Sequence, residues 1–92
     1  MNIVIVGTGY VGLVSGVGFA EQGHKVSFID LDIDKIQNLN NKQLPFFEPE
    51  LDHYFEKDEN FSRMSFHSSY ESIDWQLIDI VFICVQTPNN LE

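Results

Sequence analysis

The 92-residue chain is long enough to bury one small hydrophobic core, and its eight Phe residues favour a folded domain over disorder. Its net charge of −9 repels polyanions, so we expect neither nucleic acid nor an anionic membrane as a partner. A single cysteine, Cys84, excludes an internal disulfide and favours a reducing, cytoplasmic setting. The apolar first twenty residues have no basic leader and are interrupted by glycines, which argues against a signal peptide or a membrane span.

The chain opens with a β-branched run, Asn2–Val6, that shows no alternation of polar and apolar residues. Such a run is typical of a strand covered on both faces, as in a parallel sheet. The glycine-rich segment 7–12 follows, and a helix is predicted over residues 10–22, with Gly23 as its C-terminal cap. Small residues recur along one face of this helix, which would let it lie close against a sheet; they are Gly12, Gly16 and Ala20.

The rest of the chain continues the alternation of strands and helices. A second strand is predicted at Lys25–Ile29, followed by a helix that starts at Asp32 or Asp34. Pro49 suits the first position of a third, short helix. The remaining predictions are a proline-bracketed loop at 44–49, a charged connection at 57–60, a brief strand at 63–67, an irregular helix at 69–75 and a fully apolar strand at 78–85 that Gln86-Thr87-Pro88 ends.

This order of elements predicts an α/β fold with a parallel sheet and right-handed crossovers. We expect a Rossmann-type, doubly wound sheet, of which a complete domain has about six strands. The chain supplies three or four, so we interpret residues 1–92 as the N-terminal portion of a larger, truncated domain. Residues 91–92 fit a vector remnant.

The chemistry of the sequence centres on Gly7-x-Gly9-x-x-Gly12 between a predicted strand and a predicted helix. In this motif Gly7 permits the tight turn, Gly9 lets the backbone approach a pyrophosphate, and Gly12 lets helix and strand pack closely. The phosphates then meet unpaired N–H groups at the helix start. A glycine turn that packs a helix without any ligand is the alternative.

Asp30 ends the next predicted strand, close to the spacing at which such folds place an acidic residue. A carboxylate there accepts hydrogen bonds from the adenosine ribose and repels a 2′-phosphate. The sequence therefore favours NAD over NADP as the cofactor.

Four segments carry a more specific pattern. They are residues 7–13, Asp30-Leu31-Asp32 with Lys35, Pro45-Phe46-Phe47-Glu48-Pro49-Glu50-Leu51, and Val81-Phe82-Ile83-Cys84-Val85-Gln86-Thr87-Pro88. In this order, and over nearly the whole chain, they resemble the UDP-glucose/GDP-mannose dehydrogenase family, most of all its members that oxidise UDP-glucose.

The resemblance implies an NAD-dependent, two-step oxidation of a sugar C6 hydroxyl to a carboxylate, by which UDP-glucose becomes UDP-glucuronate, a polysaccharide precursor. It also implies a nucleotide-sugar substrate bound mainly outside this chain, and a homo-oligomer at full length. Matched by position, Val11, Asp30, Lys35 and Thr87 are expected to contact NAD. The candidate cofactor-binding residues are therefore Gly7, Thr8, Gly9, Tyr10, Val11, Gly12, Asp30, Lys35 and Thr87.

Simpler interpretations stay open for several residues. Lys35 suits a solvated helix face, and Thr87 a turn before proline. We expect Cys84 to be a buried packing residue, and Trp75 and the Phe residues to be core or cover for the sheet. The histidines have no partners at metal-ligand spacing, and the acidic residues at 48–56 suit a solvated face, so we predict no metal and no catalytic residue in this chain.

Three alternative functions also remain. Another nucleotide-sugar dehydrogenase, acting on GDP-mannose or UDP-N-acetylmannosamine, is one. The second is a dehydrogenase of the hydroxyacyl-CoA or 6-phosphogluconate type, which shares the glycine loop. The third is a sensor module that binds NAD without catalysis.

Overall fold

The computed structural model describes residues 1–85, which form a four-stranded parallel sheet of order β3-β2-β1-β4. The predicted α/β fold class is confirmed. The predicted site residue Thr87 lies outside the described residues, as does the segment 91–92. The strands are β1 (Asn2–Val6), β2 (Lys25–Ile29), β3 (Met64–His67) and β4 (Ile80–Ile83), and the helices are α1 (Tyr10–Glu21), α2 (Ile33–Asn40), α3 (Pro49–Glu56) and α4 (Asp58–Phe61).

The order of the strands places β1 inside the sheet, with β2 on one side and β4 on the other. The connection from β1 runs first to β2, and the chain later returns to the opposite side of β1 to form β4. In open α/β sheets, ligands bind in the crevice outside the carboxyl ends of the strands where the direction of winding reverses. The fold therefore predicts a ligand-binding crevice at the carboxyl end of β1, next to Val6.

The small-residue face of α1 packs against the sheet, as predicted. A side chain at Gly12 would overlap the carbonyl oxygen of Gly7, and one at Gly16 would overlap the ring of Phe28. Phe28 in turn stacks on Phe66 of β3, with ring centroids 5.1 Å apart. The close approach of α1 thus depends on glycines that leave room for the backbone of the glycine turn and for an aromatic side chain of the core.

The predicted caps at the C-terminus of α1 and at the N-terminus of α2 are confirmed by their hydrogen bonds. Gly23 has a φ of 99° and follows α1, where its N–H donates to the Ala20 carbonyl and the next N–H donates to that of Phe19. This pair of bonds is the Schellman arrangement of a helix end. At the start of α2, the Asp32 side chain accepts a hydrogen bond from the Lys35 N–H, so Asp32 rather than Asp34 is the N-cap.

Two predicted connections between the main elements differ from the structure. The charged connection at 57–60 contains the helical turn α4, which is closed by a bond from the Phe61 N–H to the Lys57 carbonyl. The irregular helix predicted at 69–75 is instead two separate 3-10 turns, Tyr70–Ser72 and Trp75–Leu77. Between the two turns the backbone at Ile73 is extended, and the Ile73 side chain is buried in the core on one face of the sheet.

In the described part of the chain, the last strand differs in length and in burial from what its fully apolar sequence suggests. β4 is shorter than the predicted 78–85 strand and lies at the edge of the sheet, with Ile83 73% exposed. Within residues 1–85 it pairs only with β1, so its outer edge and much of both faces are open. Cys84 is accordingly half-buried rather than buried, although it still packs against the main core.

The expectation that Trp75 and the Phe residues are core or cover for the sheet is also wrong in part. Phe28, Phe55 and Phe66 are buried in the main core. Phe47 is 86% exposed, and Trp75 is exposed beside Tyr70, whose carbonyl accepts its indole N–H. Among the helices of the described part, none has the length and apolarity needed to cross a membrane.

Candidate functional site

The turn after β1 is fixed by both neighbouring strands. The N–H of Gly7 donates to the Ile29 carbonyl over 2.8 Å, which extends the β1–β2 ladder by one residue. Gly7 has a φ of 106°, and a Cβ there would lie 2.7 Å from the Cys84 carbonyl oxygen. Only glycine satisfies both the backbone conformation and this close approach.

The start of α1 is open on the side away from the sheet. Gly9 is the N-cap in an extended conformation, no side chain caps the helix, and a Cβ at Gly9 would meet nothing within 4 Å. The amides of the first helical turn have no partner within their own helix. Together with the positive end of the helix dipole, these amides suit the phosphates of a ligand.

Asp30 follows β2 and turns its carboxylate back to the glycine loop. Its Oδ2 accepts hydrogen bonds from the Thr8 hydroxyl over 2.6 Å and from the Thr8 N–H over 3.0 Å. Its Oδ1 accepts a third from the Asp32 N–H, also over 3.0 Å. The carboxylate is thus held in one orientation by donors from the loop and from the start of α2.

Lys35 lies next to this carboxylate because Asp32 caps α2 three residues earlier. Its Nζ is 3.9 Å from Asp30 Oδ2, and about a third of the side chain is exposed. Partial burial raises the pKa of the Asp30 carboxyl, but the three hydrogen bonds and the Lys35 charge outweigh it and hold that pKa below its ordinary value. Asp30 therefore carries its negative charge at neutral pH.

These residues border one cleft of about 730 Å³ at the carboxyl ends of β1, β2 and β4. The cleft is large enough for a cofactor-sized ligand. The structure brings together all predicted site residues in its described part except Gly12, which supports the loop from beneath. The predicted residues that line the cleft are Gly7, Thr8, Gly9, Tyr10, Val11, Asp30 and Lys35.

Sequence reasoning missed two features of the cleft. Thr8, one of the predicted cofactor-binding residues, has a fully buried side chain whose hydroxyl donates to Asp30. Tyr70, from the connection between β3 and β4, also lines the cleft. The register that places the residue after Gly7 beside the end of β2 is a property of the folded sheet, and no sequence pattern indicates it.

The Pro-Phe-Phe-Glu-Pro segment is linked to the site through one aromatic contact. Phe46 packs on Tyr10 at the start of α1, with ring centroids 5.3 Å apart. Glu48 caps α3 by accepting a hydrogen bond from the Glu50 N–H. Within residues 1–85, no group of three His, Cys, Asp or Glu side chains is placed to hold a metal ion.

The parallel sheet, the glycine turn at its switch point and the strand-end aspartate together define a Rossmann dinucleotide-binding domain. The residues fit a dinucleotide on physical grounds, since open amides at the start of α1 suit a pyrophosphate and the charged Asp30 suits ribose hydroxyls.

Comparison with known proteins identifies the family. The sequence model of the UDP-glucose/GDP-mannose dehydrogenase family, NAD binding domain, matches residues 1–92. The chain belongs to this family, and its cofactor is NAD.

Individual relatives agree with this assignment. The chain is 47% identical over 88 residues to the UDP-glucose 6-dehydrogenase YwqF of Bacillus subtilis, which covers 96% of the chain and 20% of that protein. It is 44% identical over 89 residues to the UDP-glucose 6-dehydrogenase of Rickettsia typhi, covering 97% and 20%. The chain thus spans about a fifth of the length of the curated relatives it matches.

Solved structures of related enzymes have the same fold. The GDP-mannose dehydrogenase of Pseudomonas aeruginosa superposes with a TM-score of 0.84 at 33% identity, covering 96% of this chain and 20% of the other. The UDP-N-acetyl-mannosamine dehydrogenase of Staphylococcus aureus superposes with a TM-score of 0.85 at 29% identity, covering 100% and 21%.

The open space at Gly9 allows cofactor binding to be tested apart from folding. Gly9→Ala should leave stability nearly unchanged, because its extended backbone suits alanine and the added methyl meets no atom. We expect NAD affinity in the full-length protein to fall about tenfold, since the methyl occupies the surface that phosphates must approach. Gly18→Ala is the matched control, because Gly18 is equally open but lies further along α1. Equal NAD affinity in both variants, measured by fluorescence titration, would contradict a phosphate site at Gly9.

Proposed function

We propose that the full-length protein is a UDP-glucose 6-dehydrogenase that oxidises the sugar C6 hydroxyl to a carboxylate, giving UDP-glucuronate. The oxidation from alcohol to carboxylate removes four electrons and therefore consumes two NAD and one water. We propose that it takes place in the cytoplasm and supplies precursors for polysaccharides. The similarity to relatives named UDP-glucose 6-dehydrogenase supports this choice of substrate.

The observation that carries the NAD-binding part of the proposal is the fixed, charged Asp30 carboxylate at the rim of the cleft. Its two oxygens face the loop and the start of α2, and its lowered pKa keeps it ionised. A carboxylate so held accepts hydrogen bonds from the adenosine ribose and repels a 2′-phosphate. When bound, NAD supplies the oxidising equivalent, and the role of this chain is to bind and orient NAD.

We place the groups that act on the sugar outside this chain. Asp30 is engaged by three donors and lies where the ribose is expected, so it is not available as a base for the sugar hydroxyl. Cys84 follows the edge strand β4 and packs against the main core. The chain therefore contributes the cofactor half of the site, and other parts of the protein bind most of the nucleotide sugar.

Other nucleotide sugars are the second candidate substrates. The fold is about equally similar to a GDP-mannose dehydrogenase and to a UDP-N-acetyl-mannosamine dehydrogenase. Similarity of fold therefore does not separate these substrates. Nothing in the cofactor cleft distinguishes among these sugars, because its described residues face the dinucleotide. A sensor that binds NAD without reaction is the remaining alternative.

A single assay separates these candidates. The full-length protein is mixed with NAD and, in turn, with UDP-glucose, GDP-mannose and UDP-N-acetylmannosamine, and NADH is followed by absorbance. We expect turnover with UDP-glucose and two NADH for each UDP-glucuronate formed. Turnover only with another sugar would replace UDP-glucose as the substrate, whereas NAD binding without turnover on any sugar would favour the sensor.

A further inference from the structure

Thr8 has a different role from its neighbours in the glycine loop. Both its hydroxyl and its N–H donate to the same oxygen, Oδ2 of Asp30. The N–H is therefore not free for a phosphate, unlike the amides at the open start of α1. Its side chain is 0% exposed, so a ligand in the cleft cannot reach its hydroxyl.

The backbone on both sides holds Thr8 in this position. The N–H of Gly7 donates to the Ile29 carbonyl and so continues the β1–β2 pairing past the end of β1. Thr8 follows Gly7, and Asp30 follows Ile29, so the two residues lie beside each other. The N–H of Asp30 is itself bonded to the His67 carbonyl of β3. Thr8 and Asp30 thus meet through the register of the sheet and not through a flexible contact.

The Thr8 hydroxyl bond is also the shortest of the polar contacts to the carboxylate. At 2.6 Å, the distance from Oγ1 to Oδ2 lies in the range of charge-assisted O–H···O⁻ bonds. Lys35, in contrast, is 3.9 Å away on a partly exposed side chain, where an ion pair contributes little. A carboxylate has about four acceptor positions, two on each oxygen. Two donors occupy Oδ2 of Asp30 and one occupies Oδ1, so one position on Oδ1 stays open.

We propose that Thr8 is a positioning residue that determines cofactor selectivity by fixing the Asp30 carboxylate through its hydroxyl, without contacting the cofactor. The inference rests on the proposed role of Asp30 at the adenosine ribose. Without the hydroxyl, Asp30 rotates more freely, so it accepts less well from the ribose of NAD and opposes the 2′-phosphate of NADP less well.

The test compares near-isosteric variants in the full-length protein. Thr8→Val keeps the branched shape and the N–H but removes the hydroxyl, while Thr8→Ser keeps the hydroxyl. The measurement is the ratio of kcat/KM with NAD to kcat/KM with NADP at one fixed sugar substrate. We expect the ratio to fall about tenfold in Thr8→Val and to stay within about twofold of the wild type in Thr8→Ser.

Selectivity is the informative measurement, because a purely structural role would lower stability and both activities without changing their ratio. If Thr8→Val does not fold, Thr8→Cys takes its place, since a thiol has a similar size but is a much weaker donor. An unchanged ratio in the folded variant that lacks the hydroxyl overturns the proposal, as does equal loss of selectivity in Thr8→Ser.

Asp30→Ala is measured alongside these variants. If Asp30→Ala abolishes selectivity while the hydroxyl-free variant keeps the wild-type ratio, the positioning role of Thr8 is wrong and the ribose role of Asp30 stands. If Asp30→Ala itself leaves the ratio unchanged, the ribose role is wrong, and the inference about Thr8 falls with it.

Discussion

Replacing Asp30 with alanine should lower the preference of the full-length protein for NAD over NADP by about a hundredfold. The carboxylate is expected to accept a hydrogen bond from the ribose of NAD at its open Oδ1 position, and a bond to a charged group contributes about 1.5–3 kcal/mol. The same negative charge, sustained by a lowered pKa, opposes the 2′-phosphate of NADP. Removing it therefore weakens NAD binding and strengthens NADP binding together. The ratio of kcat/KM values with the two cofactors measures the effect.

Asp30→Asn is the matched variant, because it removes the charge but keeps an oxygen that can accept from Thr8. We expect Asp30→Asn to lose much of the selectivity yet unfold at a higher temperature than Asp30→Ala. In Asp30→Ala the buried hydroxyl and N–H of Thr8 lose their acceptor, and each such loss costs about 1–3 kcal/mol. A wild-type cofactor preference in both variants would refute the ribose role of Asp30.

Gly12→Ala should destabilise the protein by about 3 kcal/mol. The new methyl would overlap the carbonyl oxygen of Gly7 and come 3.2 Å from a methyl of Ile5. The nearest obstacle is backbone in the glycine turn, which cannot rotate away as a flexible side chain can. We therefore expect α1 to shift from the sheet and NAD affinity to fall with stability.

Gly18→Ala is the control for this effect as well. Gly18 also lies within α1, but a Cβ there meets nothing within 4 Å. Because alanine is favoured over glycine in a helix, this variant should gain up to about 1 kcal/mol. Thermal unfolding of the two variants gives opposite shifts if the packing is as described. A Gly12→Ala variant that unfolds at the wild-type temperature would exclude close packing at that position.

The features predicted well from sequence are those fixed by local chemistry. The run Asn2–Val6, the spacing of Gly7, Gly9 and Gly12, and the position of Asp30 each have few structural solutions. They were enough to predict the parallel sheet, the close packing of α1 and the position of the cleft. The NAD-binding family followed from the same residues, together with the Glu-Pro segment.

The features predicted poorly depend on what lies beside a segment in space. An apolar strand such as β4 has the same sequence pattern at the centre of a sheet as at its edge, so the exposure of Ile83 could not be predicted. The bond between Thr8 and Asp30 likewise depends on strand register, which the alternation of side chains alone does not give. At α4, the polar sequence does not indicate a helical turn, although its own Asn60 is buried and donates to the Tyr54 carbonyl of α3.

The contact between Gly7 and Cys84 has a consequence for the order in which the protein becomes functional. The turn that is to receive the pyrophosphate lies against the carbonyl of Cys84, whose N–H is bonded to Val6 over 2.7 Å. These residues are at opposite ends of the described chain, so closing that loop carries a high entropic cost and is expected late in folding. A nascent chain that has made only β1, α1 and β2 has the glycine motif but not the wall of its cleft. A chain in which β4 has not docked therefore lacks this wall of the site, and NAD stabilises chains in which β4 is in place.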